Sequence, residues 1–395
     1  MTRRGIFILL IVISVLGAAL IGVNGLRGQT QPEFSADVVA ALSGGDVEGF
    51  ARVTEVKEFN FPRDHGAHPE YQTEWWYNTA NVQTADGRRF GLKFTIFRRA
   101  LTPTMPERQS EWATNQIYFA DFAIADIAAD QFYFKERFAR GAAGLAGAQG
   151  EPYAKIWIED WAITFDADGQ GYHLRTAEGD LGMDVRLRMG KPIVFQGDRG
   201  FSTKNKGEGN ASYYYSFTRS LLEGTITVRG EQFTVSGTAW FDHEYSTSVL
   251  GEDALGWDWF SIQLDDEREI MLYQIRLRDG GIEPTSNGTF VNADGSTRYL
   301  SMAAGDYSIT PLGTWTSPRT GAVYPHGWRL TINTSDGILE LEVQPFMRDQ
   351  ELNTTTAYYE GAARVTGTQN GQPISGVAYV ELTGYNVQTR QGYSR

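Results

Sequence analysis

The chain repeats itself, and that repeat limits its possible folds more than any other feature. Leu222-Glu223-Gly224-Thr225-Ile226-Thr227-Val228-Arg229-Gly230 leads through a short strand to Ser236-Gly237-Thr238-Ala239-Trp240. Later, Tyr359-Glu360-Gly361-Ala362-Ala363-Arg364-Val365-Thr366-Gly367 leads to Ser375-Gly376-Val377-Ala378-Tyr379, with two extra residues between the halves. Upstream of each copy lies a tryptophan-rich strand, Glu74-Trp75-Trp76-Tyr77 in the first and Trp257-Asp258-Trp259-Phe260 in the second. Two tandem domains with one β topology account for this order and spacing.

Length agrees, because 395 residues exceed one typical core. Residues 55–246 form the expected N-terminal domain and 255–395 the C-terminal domain, with Ser246–Ala254 as the joint. Asp-Gly or Asn-Gly pairs recur at Asp86, Asp168, Asp279, Asn287, Asp294, Asp336 and Asn370, and such pairs suit tight hairpin turns. Between them run alternating segments such as Phe90–Phe97 and Ile270–Arg276. The expected class is all-β, with antiparallel strands closed into barrels or paired as sandwiches. The Gly/Ala-rich stretch Gly141–Gly150 reads as a loop with some helix before it. A 13% aromatic content favours barrels wide enough to hold a ligand.

The N-terminus carries Arg3-Arg4 and then an uncharged apolar stretch from Gly5 to Val23. A helix there, at ~1.5 Å per residue, nearly crosses a ~30 Å hydrocarbon core. Residues 1–28 therefore read as a signal peptide or a membrane anchor, and 29–54 as a linker. Both readings put the body outside the cytoplasm, in the periplasm or at the cell surface. With Lys plus Arg at 35 and Asp plus Glu at 48, the net charge of −13 gives no basic face for nucleic acid. The chain has no cysteine, so disulfides, thiolate metal sites and cysteine nucleophiles are excluded. Neither a phosphate-binding loop nor a Gly-x-Ser-x-Gly nucleophile turn is present, which disfavours serine-hydrolase chemistry.

Several uncommon words occur in order: Asp64-His65-Gly66-Ala67-His68-Pro69-Glu70, Thr73–Tyr77, Gly209–Ser216 and Gly237–Glu244. Gly256–Phe260, Ser317–Pro325 and Gly376–Tyr385 follow. Over about 55–386 the chain resembles the AttH-like proteins, relatives of the carotenoid 1,2-hydratases (hydroxyneurosporene synthases) often described as secreted hydrolases. The resemblance implies two lipocalin-like β-barrels in an exported protein encoded beside an ABC exporter, whose permease becomes a partner. It also implies a hydrophobic small-molecule ligand, terpenoid or lipid-like, and requires no cofactor. The hydratase relatives add water to an isolated carbon–carbon double bond.

Such a reaction needs an acid kept dry, then aromatic faces to shelter a cation. Cation–π attraction contributes ~0.5–2 kcal/mol in such a setting. Asp242, His243, Glu244 and Glu74 are the candidate acids or orienting groups. Trp75, Trp76, Tyr77, Trp240, Tyr245, Trp257, Trp259 and Tyr273 are the candidate ligand-binding residues. Strand alternation puts Glu74 with Trp76, Trp75 with Tyr77, and Trp240 with Asp242 and Glu244. In the second copy Glu381-Leu382-Thr383 replaces the polar trio, which reads as one site shared between two domains. From the resemblance, the hydratase acid is expected on the strand after the second tryptophan-rich one. Here that stretch, Leu272-Tyr273-Gln274-Ile275-Arg276, has no acid. His65 and His68, with Asp64, Glu70, Asp242, His243 and Glu244, are candidate ligands of a kind that suits zinc or iron, but nothing fixes their distances, so no metal is assigned. Two functions stay open: an acid-type hydratase or isomerase, and a non-enzymatic carrier of a hydrophobic ligand.

Overall fold

The computed structural model describes residues 47–247, 250–251, 253–355 and 357–386. The expected N-terminal hydrophobic helix and most of the linker lie outside the described residues. Among the described residues no helix is long and apolar enough to cross a membrane. The described residues are all-β, and the one short helix among them is a 3-10 turn at Arg63–His65.

The first half supplies β1 (Thr73–Gln83), β2 (Arg89–Ala100), β3 (Gln116–Asp126), β4 (Gln131–Arg140) and β5 (Ala146–Gln149). It continues with β6 (Lys155–Ile158), β7 (Trp161–Phe165), β8 (Gly171–Glu178), β9 (Leu181–Met189), β10 (Val194–Phe195) and β11 (Phe201–Thr203). The long hairpin β12 (Ala211–Val228) and β13 (Glu231–Ser246) ends it. The second half supplies β14 (Ala254–Leu264), β15 (Glu269–Leu277), β16 (Asn287–Val291), β17 (Thr297–Ser301) and β18 (Tyr307–Pro311). Then come β19 (Thr314–Thr316), β20 (Val323–Pro325), β21 (Trp328–Thr334), β22 (Gly337–Pro345) and β23 (Glu351–Asn353). The hairpin β24 (Ala357–Gln369) and β25 (Gln372–Leu382) closes it.

Two large sheets result, with matching order, beside a two-stranded ribbon of β19 and β20. The first runs β4-β3-β2-β1-β13-β12-β9-β8-β7-β6-β5 and the second β17-β16-β15-β14-β25-β24-β22-β21-β18. The repeated sequence words are the hairpins β12–β13 and β24–β25, each set beside its tryptophan strand. In the first sheet β6 folds back against β2, β3 and β4, where Trp161 meets Phe94 and Phe122 edge-on.

Two sequence expectations need correction. The segment directly before the Gly/Ala-rich stretch is not helical, and Ala146–Gln149 within the stretch is strand and not loop. Gln131–Arg140 is a strand, since Phe132, Phe134 and Phe138 recur with a period of two. Asn287-Gly288 is not a turn but lies inside β16, where a Cβ on Gly288 would sit 2.3 Å from the Met271 carbonyl oxygen. At the other six pairs the glycine does take the positive φ of a turn.

The barrels also do not hold the ligand space that the aromatic content suggested. Large side chains fill the interiors: Trp76, Phe94, Phe122, Trp161, Phe217 and Phe241 in the first, Phe260, Trp328, Tyr324 and Tyr359 in the second. A further apolar cluster, with Tyr77, Tyr214, Trp240, Trp259 and Tyr273, forms where the two outer faces meet.

That contact is reciprocal. Asn81 Nδ2 donates to the Ala378 carbonyl (3.1 Å), and Gln263 Nε2, at the equivalent register position, donates to the Ala239 carbonyl (3.0 Å). Tyr77 OH donates to Glu360 Oε2 (2.7 Å), and Lys191 and Arg219 of the first half clamp buried Glu269 of the second. Gly91 marks a close approach, because a Cβ there would lie 2.5 Å from the Ala362 Cβ. Gly91→Val should therefore lower stability by about 1–3 kcal/mol through overpacking. Adding Ala362→Gly should recover part of that loss in a double-mutant cycle read by urea denaturation. Additive losses would show that the two positions do not meet.

Candidate functional site

Alternation along β1 and β13 divides the sequence-predicted site residues into two groups on opposite sides of one sheet. Trp76 pairs with His243 and Tyr77 with Asp242 in the register of β1 and β13. Glu74, Trp76, His243 and Tyr245 therefore face the barrel interior. Trp75, Tyr77, Trp240, Asp242 and Glu244 face the second sheet. The expectation that Glu74 and His243 share a site with Asp242 and Glu244 is corrected by this parity.

The inward group closes the end of the first barrel. Glu74 is fully buried and accepts four bonds, from His68 N (2.9 Å), His68 Nδ1 (2.7 Å), His243 Nε2 (2.8 Å) and Arg98 Nε (2.8 Å). Arg98 also donates to Gln116 Oε1 and to the carbonyls of His68 and Tyr71. Burial alone would raise the Glu74 pKa, but Arg98 and His68 reverse this and hold the carboxyl well below its usual range. Burial pushes His243 down to about 4, so the neutral ring donates from Nε2 to Glu74 and accepts from Tyr215 at Nδ1 (2.8 Å). Burial would also depress His68, but Glu74 and Asp64 outweigh it and raise its pKa, and its ring stacks on Tyr245 at 3.7 Å. Trp76 Nε1 donates to the His65 carbonyl, and Lys57 donates to Tyr245 OH. Trp76 and Tyr245 thus belong to this plug and not to a ligand surface.

His68, Glu74 and His243 bring potential metal-ligand atoms within 4.8 Å of one another. Their geometry suits a hydrogen-bonded ion cluster better than a metal centre. Both ring nitrogens already contact the same carboxylate oxygen, and the Arg98 guanidinium on the other oxygen would repel a divalent cation. His65 stands apart, bonded through Nδ1 to Tyr215 OH (2.6 Å) and stacked on Phe165. The Ser317–Pro325 word has an analogous role in the second barrel. Ser317, Thr320 and Tyr324 all donate to buried Glu351.

The outward group lines a cavity of about 70 Å³ between the sheets. Trp75, Tyr77, Asp242, Glu244, Trp257, Trp259 and Tyr273 line it, joined by Tyr214, Lys204 and Glu381. Trp240 lies behind the wall, its Nε1 donating to Asp242 Oδ1 (2.8 Å) and its ring edge-on to Trp259. Asp242 is buried and accepts also from Ser216 Oγ (2.5 Å) and Tyr214 OH (2.9 Å), with no Arg or Lys in contact. Burial raises it to about 7, with the Glu244 charge adding to the rise and the three hydrogen bonds opposing it. Glu244 itself is paired with Lys204 at 2.9 Å.

Glu381 is the site residue that sequence reasoning passed over. It faces Trp259 in the register of β14 and β25, the position that Asp242 holds opposite Tyr77. Its partner is Trp257 Nε1 (3.2 Å), and burial raises it too to about 7. The signal was in the repeat, since Asp242 follows Trp240 by two residues as Glu381 follows Tyr379. Reading the second copy as lacking the polar trio hid this equivalence.

The two kinds of carboxylate have opposite linkage to stability. Glu74, whose pKa is lowered, supplies stability above its unfolded pKa and loses it as pH falls through the folded one. Asp242, whose pKa is raised, supplies stability below its unfolded value and loses it as pH rises through about 7. Glu74→Gln should cost about 3–5 kcal/mol at pH 7, because Arg98 is left without its buried counter-charge. Asp242→Asn should raise stability at pH 8 by about 1–3 kcal/mol and leave it nearly unchanged at pH 4. Denaturation of both variants at the two pH values checks this. A loss for Asp242→Asn at pH 8 would mean that the wild-type carboxylate is well stabilised.

A profile of AttH-like proteins matches residues 52–385. The crystal structure of an AttH from Nitrosomonas europaea is 35% identical, with a TM-score of 0.75, covering 85% of this chain and 99% of that one. Kievitone hydratase from Nectria haematococca is 14% identical with a TM-score of 0.63, covering 85% and 96%. CghA with Sch210972 is 12% identical with a TM-score of 0.51, covering 80% and 88%. These last two likenesses bear on the fold alone. No curated protein matches the sequence. The profile match across most of the chain, and the close likeness to the Nitrosomonas protein along nearly its whole length, place this protein in the AttH-like family.

Proposed function

We propose that this protein binds a hydrophobic, terpenoid or lipid-like molecule between its two sheets and acts on it by acid catalysis. The observation that carries the reading is the pair Asp242 and Glu381. Both are raised by burial to about 7, come from equivalent strands and open on one cavity walled by Trp75, Trp257 and Trp259. Carboxyls raised this far are shared between acid and carboxylate forms at neutral pH, which suits one to give up a proton and the other to accept one where water is scarce. In hydration, the acid O–H breaks and a C–H bond forms on one alkene carbon. The cation on the other carbon is sheltered by indole faces, water adds there, and its proton returns to a carboxylate. In isomerisation the second carboxylate removes a proton from the neighbouring carbon instead. Lys204 does not oppose the cation strongly, because Glu244 neutralises it.

The fold shared with kievitone hydratase is compatible with this chemistry. The apolar leader also supports an extracytoplasmic protein, held by or released from the membrane and served by an exporter, which cell fractionation with and without residues 1–28 tests.

Incubation with geraniol and farnesol in deuterated water, read by mass spectrometry, tests the catalytic reading. Deuterium should enter the alkene region, and the rate should fall as pH rises above about 7 as the acids deprotonate. Asp242→Asn and Glu381→Gln should each lower that rate at least tenfold while sparing binding, in line with the loss of a general acid. Binding without any exchange would leave the carrier role as the function.

A further inference from the structure

The cavity, about 70 Å³ and partly open to solvent, is small for the ligand its walls suggest. An apolar cavity of ~150 Å³ accommodates one benzene, so anything longer than a few heavy atoms must extend beyond this one. One route away from it is lined by rings. Trp75 on β1 faces Phe97 on β2, Phe97 faces Phe119 on β3, and Phe119 faces Phe138 on β4, each pair in direct register. The ring centroids are 6.4, 4.4 and 5.9 Å apart, and the last two pairs are stacked. Trp75 and Phe97 line the cavity, Phe119 is half-buried, and Phe138 is 55% exposed on the edge strand of the sheet.

We infer that this four-ring ladder is the binding track for the tail of the ligand whose reactive end occupies the cavity. The inference rests on the cavity being a ligand site. Three inter-strand steps at ~4.8 Å make the track ~14 Å long. Rings stacked face to face across strands turn their C–H edges away from the sheet, and that positive rim attracts the π face of an unsaturated chain. The occupant that fits is an elongated, flat, unsaturated hydrocarbon tail. One flank is fixed by the second half of the chain, where Thr355 N and Oγ1 both donate to Glu136, two residues from Phe138 on the same face of β4. Cross-strand aromatic pairs also stabilise a sheet by ~0.2–1 kcal/mol each, so stability alone cannot distinguish the two roles. Dependence on ligand length can.

The test is calorimetric titration of the full chain with prenol, geraniol, farnesol and geranylgeraniol. Affinity should rise with each added isoprene unit in the wild type. In Phe119→Thr/Phe138→Thr, prenol affinity should be unchanged while the farnesol-to-prenol ratio drops on the order of tenfold, the value of losing apolar contact over two rings. Thr keeps the strand propensity, and Phe138→Thr alone, at an exposed position, gives a smaller drop in the same ratio should the double variant not fold. A flat length series in the wild type, or an unchanged ratio in the variants, overturns the track and leaves the cavity reading standing. Failure of the wild type to bind even prenol overturns the cavity reading and the track with it.

Discussion

The back-to-back contact of two equivalent β sheets is the constraint on which the rest depends. Each sheet buries its inner face in its own barrel, and the central strands of the two outer faces cover each other. The reciprocal bonds of Asn81 and Gln263 to Ala378 and Ala239 fix the relative register of the halves. With the register fixed, a period of two decides each side chain's environment. A shift of one residue in β13 would put Asp242 into the barrel and His243 into the cavity.

The protein places carboxylates in two opposite electrostatic settings on the two faces of one sheet. Glu74 lies between Arg98 and His68 and so remains an anion, ending a barrel that would otherwise leave polar backbone unsatisfied. Asp242 and Glu381 receive hydrogen bonds from neutral donors and none from a cation, so desolvation dominates and raises both to about 7. Only the second arrangement sits beside an open volume. A group that weakens the fold at higher pH and yet occurs twice, at symmetry-equivalent positions, is more readily explained by chemistry than by architecture.

Much of the fold was legible in the sequence. The duplicated words, the Asp-Gly turns and the alternating segments specify antiparallel β twice over, and the aromatic words carry the family resemblance. The helix expected before Gly141 failed because a loop-like composition drew attention from the Phe132, Phe134, Phe138 alternation. Asn287-Gly288 failed as a turn because the glycine there answers a close approach of a neighbouring strand, which no local pattern announces. In the site, the faces of Glu74, Trp75, Asp242 and His243 were readable from parity. Which face met the barrel interior and which met the other sheet was not.

The sequence by itself determined the strand periodicity, the duplication and the identity of every acid and ring on each face, because these are local properties of a chain that alternates. Tertiary structure decided that the cavity lies between the barrels and not within them. It also decided that Glu381 joins Asp242 while Glu74 does not, and that Phe97, Phe119 and Phe138 align with Trp75. The ring alignment depends on the register of neighbouring strands, and the first two outcomes on packing between residues more than a hundred positions apart, where burial and the absence of a counter-charge, not residue type, set the protonation state.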